Sequence, residues 1–342
     1  MRLPLPWLLA LTGGALALLL VGSLATGPMS LSFGESLRAL FAGQESGMEA
    51  HKLLVVKEIR LPRTLLCIAV GGILGLCGAV MQGLFRNPLA DPGIIGVSGG
   101  AALGAALAIV LLAPLGQQLQ ALLGLGLLPL LAFLGGALTT TLVYLLGTRE
   151  GGTSVTVMLL AGVAITALSG AVIGLLTYLA DDQMLRNLSL WQMGSLAAGK
   201  PVDVALALLT LAALLLLFAR DANPLNALLL GEGEARHLGV NVQALKRRLI
   251  LLTAAGVGVA VAVAGMIGFV GLVVPHLARL LAGPNHVRLL PLSALLGAAL
   301  LLGADMLART LLAPAEMPVG IITALMGAPF FIWLLVKSRR TL

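Results

Sequence analysis

Charge is scarce in this 342-residue chain: Asp, Glu, Lys and Arg make up 10% of it, against an apolar share of 59%. No soluble domain of this length needs that much apolar surface, so the soluble globular classes are excluded and a polytopic membrane protein remains. Cysteine is nearly missing. Cys67 and Cys77 lie ten residues apart on one apolar segment, and a rise of about 1.5 Å per residue keeps them too far apart to bond to each other. His51, His237, His276 and His286 are too dispersed for a metal cluster, and no H-E-x-x-H or paired-Cys spacing occurs. Asp181-Asp182 has no further Asp at the spacing a prenyltransferase would need, so nothing supports catalysis or a cofactor bound by this chain. The net charge of +7 is scattered through short loops rather than gathered on one face, which speaks against nucleic acid and for orientation in a lipid bilayer.

What is present is a succession of apolar runs separated by charge or by Pro/Gly clusters. They give candidate spans at 7–26, 61–84, 93–112, 121–146, 154–179, 202–219, 249–264, 266–282, 289–311 and 318–336. The first also fits a secretory signal, but about 20 apolar residues suffice to cross roughly 30 Å of hydrocarbon, so it is read as a retained first helix. Ten spans put both termini on one side. With that side cytoplasmic, 13 of the 21 basic residues face inward, as the positive-inside bias requires. An even split into 1–200 and 201–342 gives five helices per half, and an odd number inverts the second half relative to the first. The expected fold is an all-α polytopic membrane protein with about ten transmembrane helices in two inverted five-helix halves. The stretches 78–92 and 265–279, each Gly-led and running into a Pro, both descend inward in this arrangement and do not themselves demonstrate the inversion.

The longest charged interval between apolar runs is Arg220–Arg248. Asn223-Pro224 reads as the start of a short helix, with Asn223 as N-cap and Gly231 at the end. A second helix carries Glu232 and Glu234 at its positive end and is interrupted by Gly239. Leu225, Leu228, Leu229 and Leu238 would give the pair an apolar side on which another protein could dock. Gly71/Gly75, Gly100/Gly104 and Gly170/Gly174 have the G-x-x-x-G spacing that lets helix backbones approach closely in lipid. Gly194 to Lys200 spells G-x-x-x-x-G-K, but Pro201 stands where a Mg²⁺-binding hydroxyl would be needed and no strand precedes it, so no nucleotide site is read there.

The segment LLLGEGEARHLGVNV (228–242) resembles the coupling segment of the iron-chelate, haem and vitamin B12 class of ATP-binding-cassette importer permeases. The resemblance extends through RLPRTL (60–65), GAVMQGLFRNPLADPGIIGVSGGA (78–101), GFVGLVVPHLARL (268–280) and EMPVGIITALMGAPFFIWLL (316–335). It implies a single permease domain over 1–342 in a bacterial inner membrane, paired with a second copy of itself. A separate ATPase dimer, which uses ATP and Mg²⁺, would dock on Leu230, Gly231, Glu232, Glu234, Arg236, Leu238 and Gly239, and a periplasmic substrate-binding protein on Arg60, Arg63 and Arg309. The matching cytoplasmic gate falls on Thr153 and Ser154, where an ordinary N-cap is the simpler alternative. Arg309 follows Asp305 by four residues, so those two could instead neutralise one another within a helix.

The stretch 181–196 reads as a short amphipathic helix at the outer mouth, with Arg186, Trp191 and Met193 as candidate substrate contacts. It looks closest to haem-type members, which makes haem the expected cargo, with a ferric siderophore or cobalamin as the alternative. An ion-coupled secondary transporter is the rival of a different class; it would need carboxylates or broken helices at mid-membrane depth. Asn87-Pro88 and Asp91-Pro92 are read as structural, because the residue before each Pro is pushed out of helical geometry.

Overall fold

The computed structural model describes residues 4–29, 31–41, 49–112, 126–149, 152–197 and 199–339. The chain opens with α1 (Leu5–Ala25), then α2 (Phe33–Phe41) and α3 (Ala50–Leu54), which passes through a π-helical turn at Val55–Arg60 into α4 (Leu61–Leu84). After a 3₁₀ turn at Pro92–Ile95 come α5 (Val97–Val110) and α6 (Leu127–Gly147). A two-stranded hairpin of Thr148–Arg149 and Gly152–Thr153 leads to α7 (Val155–Leu179) and α8 (Asp182–Gln192). The second half holds α9 (Pro201–Leu229), α10 (Glu232–His237), α11 (Val242–Ala264), α12 (Val270–Ala282), α13 (His286–Thr310) and α14 (Val319–Arg339).

Seven of these are long and apolar enough to cross a membrane: α1, the continuous run through α3 and α4, α6, α7, α9, α11 and α13. Shorter apolar helices, α5, α12 and Val319–Leu334 of α14, fall on the other three expected spans. The protein is therefore a multi-pass helical membrane protein. The expected span at 121–146 begins outside the described residues.

Two boundaries differ from expectation, and both matter. Pro224 does not open a helix; α9 runs through it for 29 residues. Phe218, Ala222, Leu225 and Leu228 form one buried stripe across that point, and this packing outweighs the hydrogen bond that a helix-interior proline removes. At the other side of the charged interval, α11 starts at Val242 behind an Asn241 N-cap, whose side chain accepts from Ala244 N–H. Lys246, Arg247 and Arg248 therefore lie on the first turns of the same helix as the apolar span expected from residue 249.

Helix α4 occupies the centre, packed against α9, α11, α12 and α13. It fits because glycine faces glycine: a Cβ on Gly71 would come within 2.3 Å of the Gly297 carbonyl oxygen, and one on Gly75 within 2.4 Å of that of Ser293. Lipid tails are as apolar as leucine, so close backbone contact of this kind drives helix association in a membrane. Gly100 and Gly104 do the same for α5 against Gly135 and Leu131 of α6. Gly170 and Gly174, with the same spacing on α7, meet nothing within 4 Å. That face is open.

The helix on the third expected span of each half is short, 14 residues in α5 and 13 in α12. Both are preceded by a residue in the left-handed region, Gly96 at φ +85° and Phe269 at φ +67°. The two breaks touch: Pro92 Cδ lies 3.1 Å from where a Cβ on Gly271 would be. From there α5 runs to the end that carries α8, packing on it, while α12 runs to the opposite end, where a Cβ on Gly83 would meet His286. Interrupted helices at matching positions, running opposite ways, are what inverted halves produce.

Replacing Gly71 by Leu should lower stability by about 3 kcal/mol, the upper end of what overpacking costs, because the group met is backbone and cannot yield. Gly170→Leu should leave the isolated protomer's thermal transition in detergent unchanged. Equal effects from the two substitutions would show that the α4–α13 approach is not limiting.

Candidate functional site

At the α10 end, the chain leaves α9 through Gly231, whose φ of +127° is open to glycine and strained for any other residue. Helix α10 seats only Ala235 in the core; Glu234, Arg236 and His237 are exposed, as are Leu229, Leu230 and Leu238. Gly239, at φ +82°, turns the chain back into α11. The result is a short ledge with an apolar-and-charged outer surface. Leu225 and Leu228 do not belong to it: both are buried against the bundle, at 0% and 1% exposure.

Behind the ledge lies a buried polar connection. Lys246, 2% exposed, pairs with Glu232 Oε1 at 2.6 Å and donates to the Thr153 carbonyl oxygen at 2.9 Å. One helical turn earlier, Gln243 Oε1 accepts the Thr153 N–H at 3.0 Å. The Thr153 hydroxyl meets that of Thr148 across the hairpin at 3.1 Å. Thr153 is buried, while Ser154 is exposed and is the N-cap of α7, accepting from Val157 N–H. Asp221 of α9 pairs with Arg248 of α11 beside this connection.

At the opposite end, the three arginines expected to face a partner lie inside the protein. Arg60 donates to the backbone oxygens of Leu24, Ala25 and Met29, closing the end of α1. Arg63 pairs with Asp305, 3.0 Å from Nε to Oδ1, and with Glu316 at 2.7 Å. Arg309 lies 3.1 Å from Asp305 Oδ2 and donates to Ser23 Oγ at 2.6 Å. All three are under a tenth exposed. They do not form a free basic patch: Arg60 caps the carbonyls at the end of α1, while Arg63 and Arg309 tie helices together around Asp305, because a carboxylate buried among helices needs its charge matched. The Asp305–Arg309 neutralisation that the four-residue spacing suggested does occur, with Arg63 as an additional partner. The solvent-accessible member of the network is Glu316, its side chain 37% exposed.

Beside this network, α2 begins with a reciprocal cap: Glu35 N–H bonds to Ser32 Oγ while Glu35 accepts from Ser32 N–H. Lys52 of α3 donates to the same carboxylate at 2.9 Å and, with the Ser32 bonds, holds Glu35 at about 2, well below an ordinary glutamate. The Ser32-Phe33-Gly34-Glu35 pattern was the available sequence signal for α2.

The candidate substrate contacts separate. Arg186 is exposed on α8, and Met193 is half-buried with its carbonyl accepting from Gly320 N–H. Trp191 lines a cavity of about 440 Å³ between the ends of α6, α9 and α11, where Lys200 and Asp203 are the charged groups. Arg186 and Met193 do not line it. Asn87 and Asp91 bond to their own loop, at Leu89 N–H and Gly93 N–H, as structural turn residues do.

Comparison with known proteins gives a consistent picture. The model of the FecCD transport family matches residues 11–337. The hemin transport system permease protein HmuU of Yersinia pestis is 48% identical over 341 residues, covering 99% of this chain and 96% of that protein. The vitamin B12 import system permease protein BtuC of Klebsiella pneumoniae is 40% identical over 338 residues, covering 97% and 94%. Among solved structures, a chain described as a metal-chelate type ABC transporter in an inward-facing conformation superposes with a TM-score of 0.83 at 35% identity, covering 97% of this chain and 99% of that one.

Asp305→Asn would leave the buried Arg309 without a matching charge and Arg63 with Glu316 alone, and should cost about 3–5 kcal/mol, read as a lowered thermal transition in detergent. Retention of the parent transition would show that Asp305 does not hold the network together.

Proposed function

This chain belongs to the FecCD transport family, and from that premise we propose that it is the permease subunit of an importer whose cargo is haem, driven by a separate ATPase. The observation that carries the role is the α10 ledge: exposed Leu229, Leu230 and Leu238 beside Glu234 and Arg236, on an element that contributes only Ala235 to the core. Apolar residues rimmed by charge suit a protein partner. An ABC ATPase pair would dock there, with ATP and Mg²⁺ bound in the partner. Haem as cargo rests on the similarity to the hemin permease, which exceeds that to the B12 permeases and spans both chains almost entirely.

In this reading the α10 end faces the cytoplasm of a bacterium, and both termini lie on that side of its inner membrane. Closing of the ATPase dimer moves the ledge, and Thr153 and Ser154 at the hairpin form the inner gate of the path. This is a two-state switch biased by nucleotide at a distance, with no bond made or broken in this chain. The substrate-binding protein docks at the α8 end. Because Arg63 is already paired with Glu316, an acidic side chain of that partner gains access by displacing Glu316 rather than by meeting a vacant guanidinium. A second copy would pack on α7, where Gly170 and Gly174 lie open beside exposed Leu168 and Leu175. Substrate contact by Arg186, Trp191 and Met193 belongs to the same proposal.

The deciding experiment reconstitutes the chain with its ATPase and binding protein in proteoliposomes. ATP hydrolysis should rise with haem-loaded binding protein and stay at the basal rate with cobalamin or a ferric siderophore. Stimulation by cobalamin alone would transfer the assignment to that cargo, and uptake driven by a proton gradient without the ATPase would replace the mechanism. Leu230→Glu combined with Leu238→Glu should abolish co-purification of the ATPase while membrane insertion is unaffected; retained co-purification would remove the ledge from the interface.

A further inference from the structure

We propose that Lys246 is the positioning residue that carries displacement of the α10 ledge to the hairpin at Thr153, an inference that rests on the reading of α10 as the docking surface. The ledge and the hairpin are far apart in sequence and belong to different halves. Lys246 joins them: one ammonium, buried on α11, holds the Glu232 carboxylate at 2.6 Å and the Thr153 carbonyl at 2.9 Å.

Burial makes the connection stiff. An ammonium withdrawn from water cannot let go of its acceptors without a large penalty, whereas an exposed lysine exchanges them freely. Glu232 is about a third exposed and lies at the start of the ledge, so it is the partner able to move.

The hairpin end is held at two points. Gln243 and Lys246 are three residues apart and therefore on one face of α11. Between them they take both backbone groups of Thr153, the N–H by Gln243 Oε1 and the carbonyl by Lys246 Nζ. Gly152 permits the approach: a Cβ there would come within 2.2 Å of Gln243 Nε2. Thr153 is thus fixed to the first turns of α11, and α11 is fixed to the ledge through Glu232. A shift of the ledge is handed to the hairpin through two hydrogen-bonded contacts, without passing through the apolar body.

A purely stabilising ion pair would give the same contacts, so the test reads motion. In the chain bound to its ATPase in nanodiscs, nitroxides are placed by R149C on the exposed strand of the hairpin and V287C at the start of α13, and their separation is measured with and without ATP and vanadate. The parent and K246R, which keeps a charged donor, should show an ATP-dependent shift. K246M should bind the ATPase as tightly but lose the shift. Q243L, which frees the Thr153 N–H and leaves the buried ion pair intact, should diminish it and serves where K246M does not reach the membrane. An undiminished shift in K246M or in Q243L overturns this inference alone. A parent that binds the ATPase and shows no shift overturns the coupling role of α10, and the inference with it.

Discussion

The close approach of α4 to α13 sets the rest of the architecture. In hydrocarbon, apolar side chains gain nothing by leaving their surroundings, so helices associate where their backbones fit tightly. Gly71, Gly75 and Gly297 remove the side chains that would hold α4 and α13 apart. That lets α4 sit in the middle with α9, α11 and α12 around it. The breaks before α5 and α12 then meet beside α4, where Leu74 and Gly271 lie around the Pro92 turn. Irregular backbone is tolerated at such depth because it is enclosed by protein.

The few charges within the helices act as ties, and their location separates two kinds of end. At the α8 end, Asp305 joins α4 to α13 through Arg63 and, through Arg309 and Ser23, reaches α1. Every member belongs to the packed body except the partly exposed Glu316, so the network is rigid. At the α10 end, Lys246 joins α11 both to an exposed six-residue helix and to a two-stranded hairpin. Those elements are small and have little packing of their own. The same physics, a buried charge that must be matched, stiffens a body at one end and couples two light parts at the other.

How much of this was legible varied with the physical signal. Long apolar runs are imposed by the hydrocarbon thickness, so the spans emerged within a few residues at α1, α4 and α7. The charged interval misled, since Asn223-Pro224 carries a strong helix-start signal, and only the buried stripe through Phe218, Ala222, Leu225 and Leu228 overrides it. Arg60, Arg63 and Arg309 read as surface cations because flanking arginines usually are; Asp305 lies more than 240 residues from Arg63, and no local pattern announces that pair. Lys246 was given no role for the same reason: it is the first of three consecutive basic residues, and only the direction in which α11 points each of them buries Lys246 and leaves Arg247 and Arg248 exposed.

From the order of its residues alone, this chain was bound to be helical, to lie in lipid and to bear one water-facing segment between its later spans, because those outcomes depend on composition and on periodicity within a single element. Which G-x-x-x-G face is filled and which is left open, which arginines are locked away, and which lysine reaches from the ledge to the hairpin were decided by the folded arrangement. Each is a relation between elements distant along the chain, and short-range pattern carries no information about which helix comes to stand beside which.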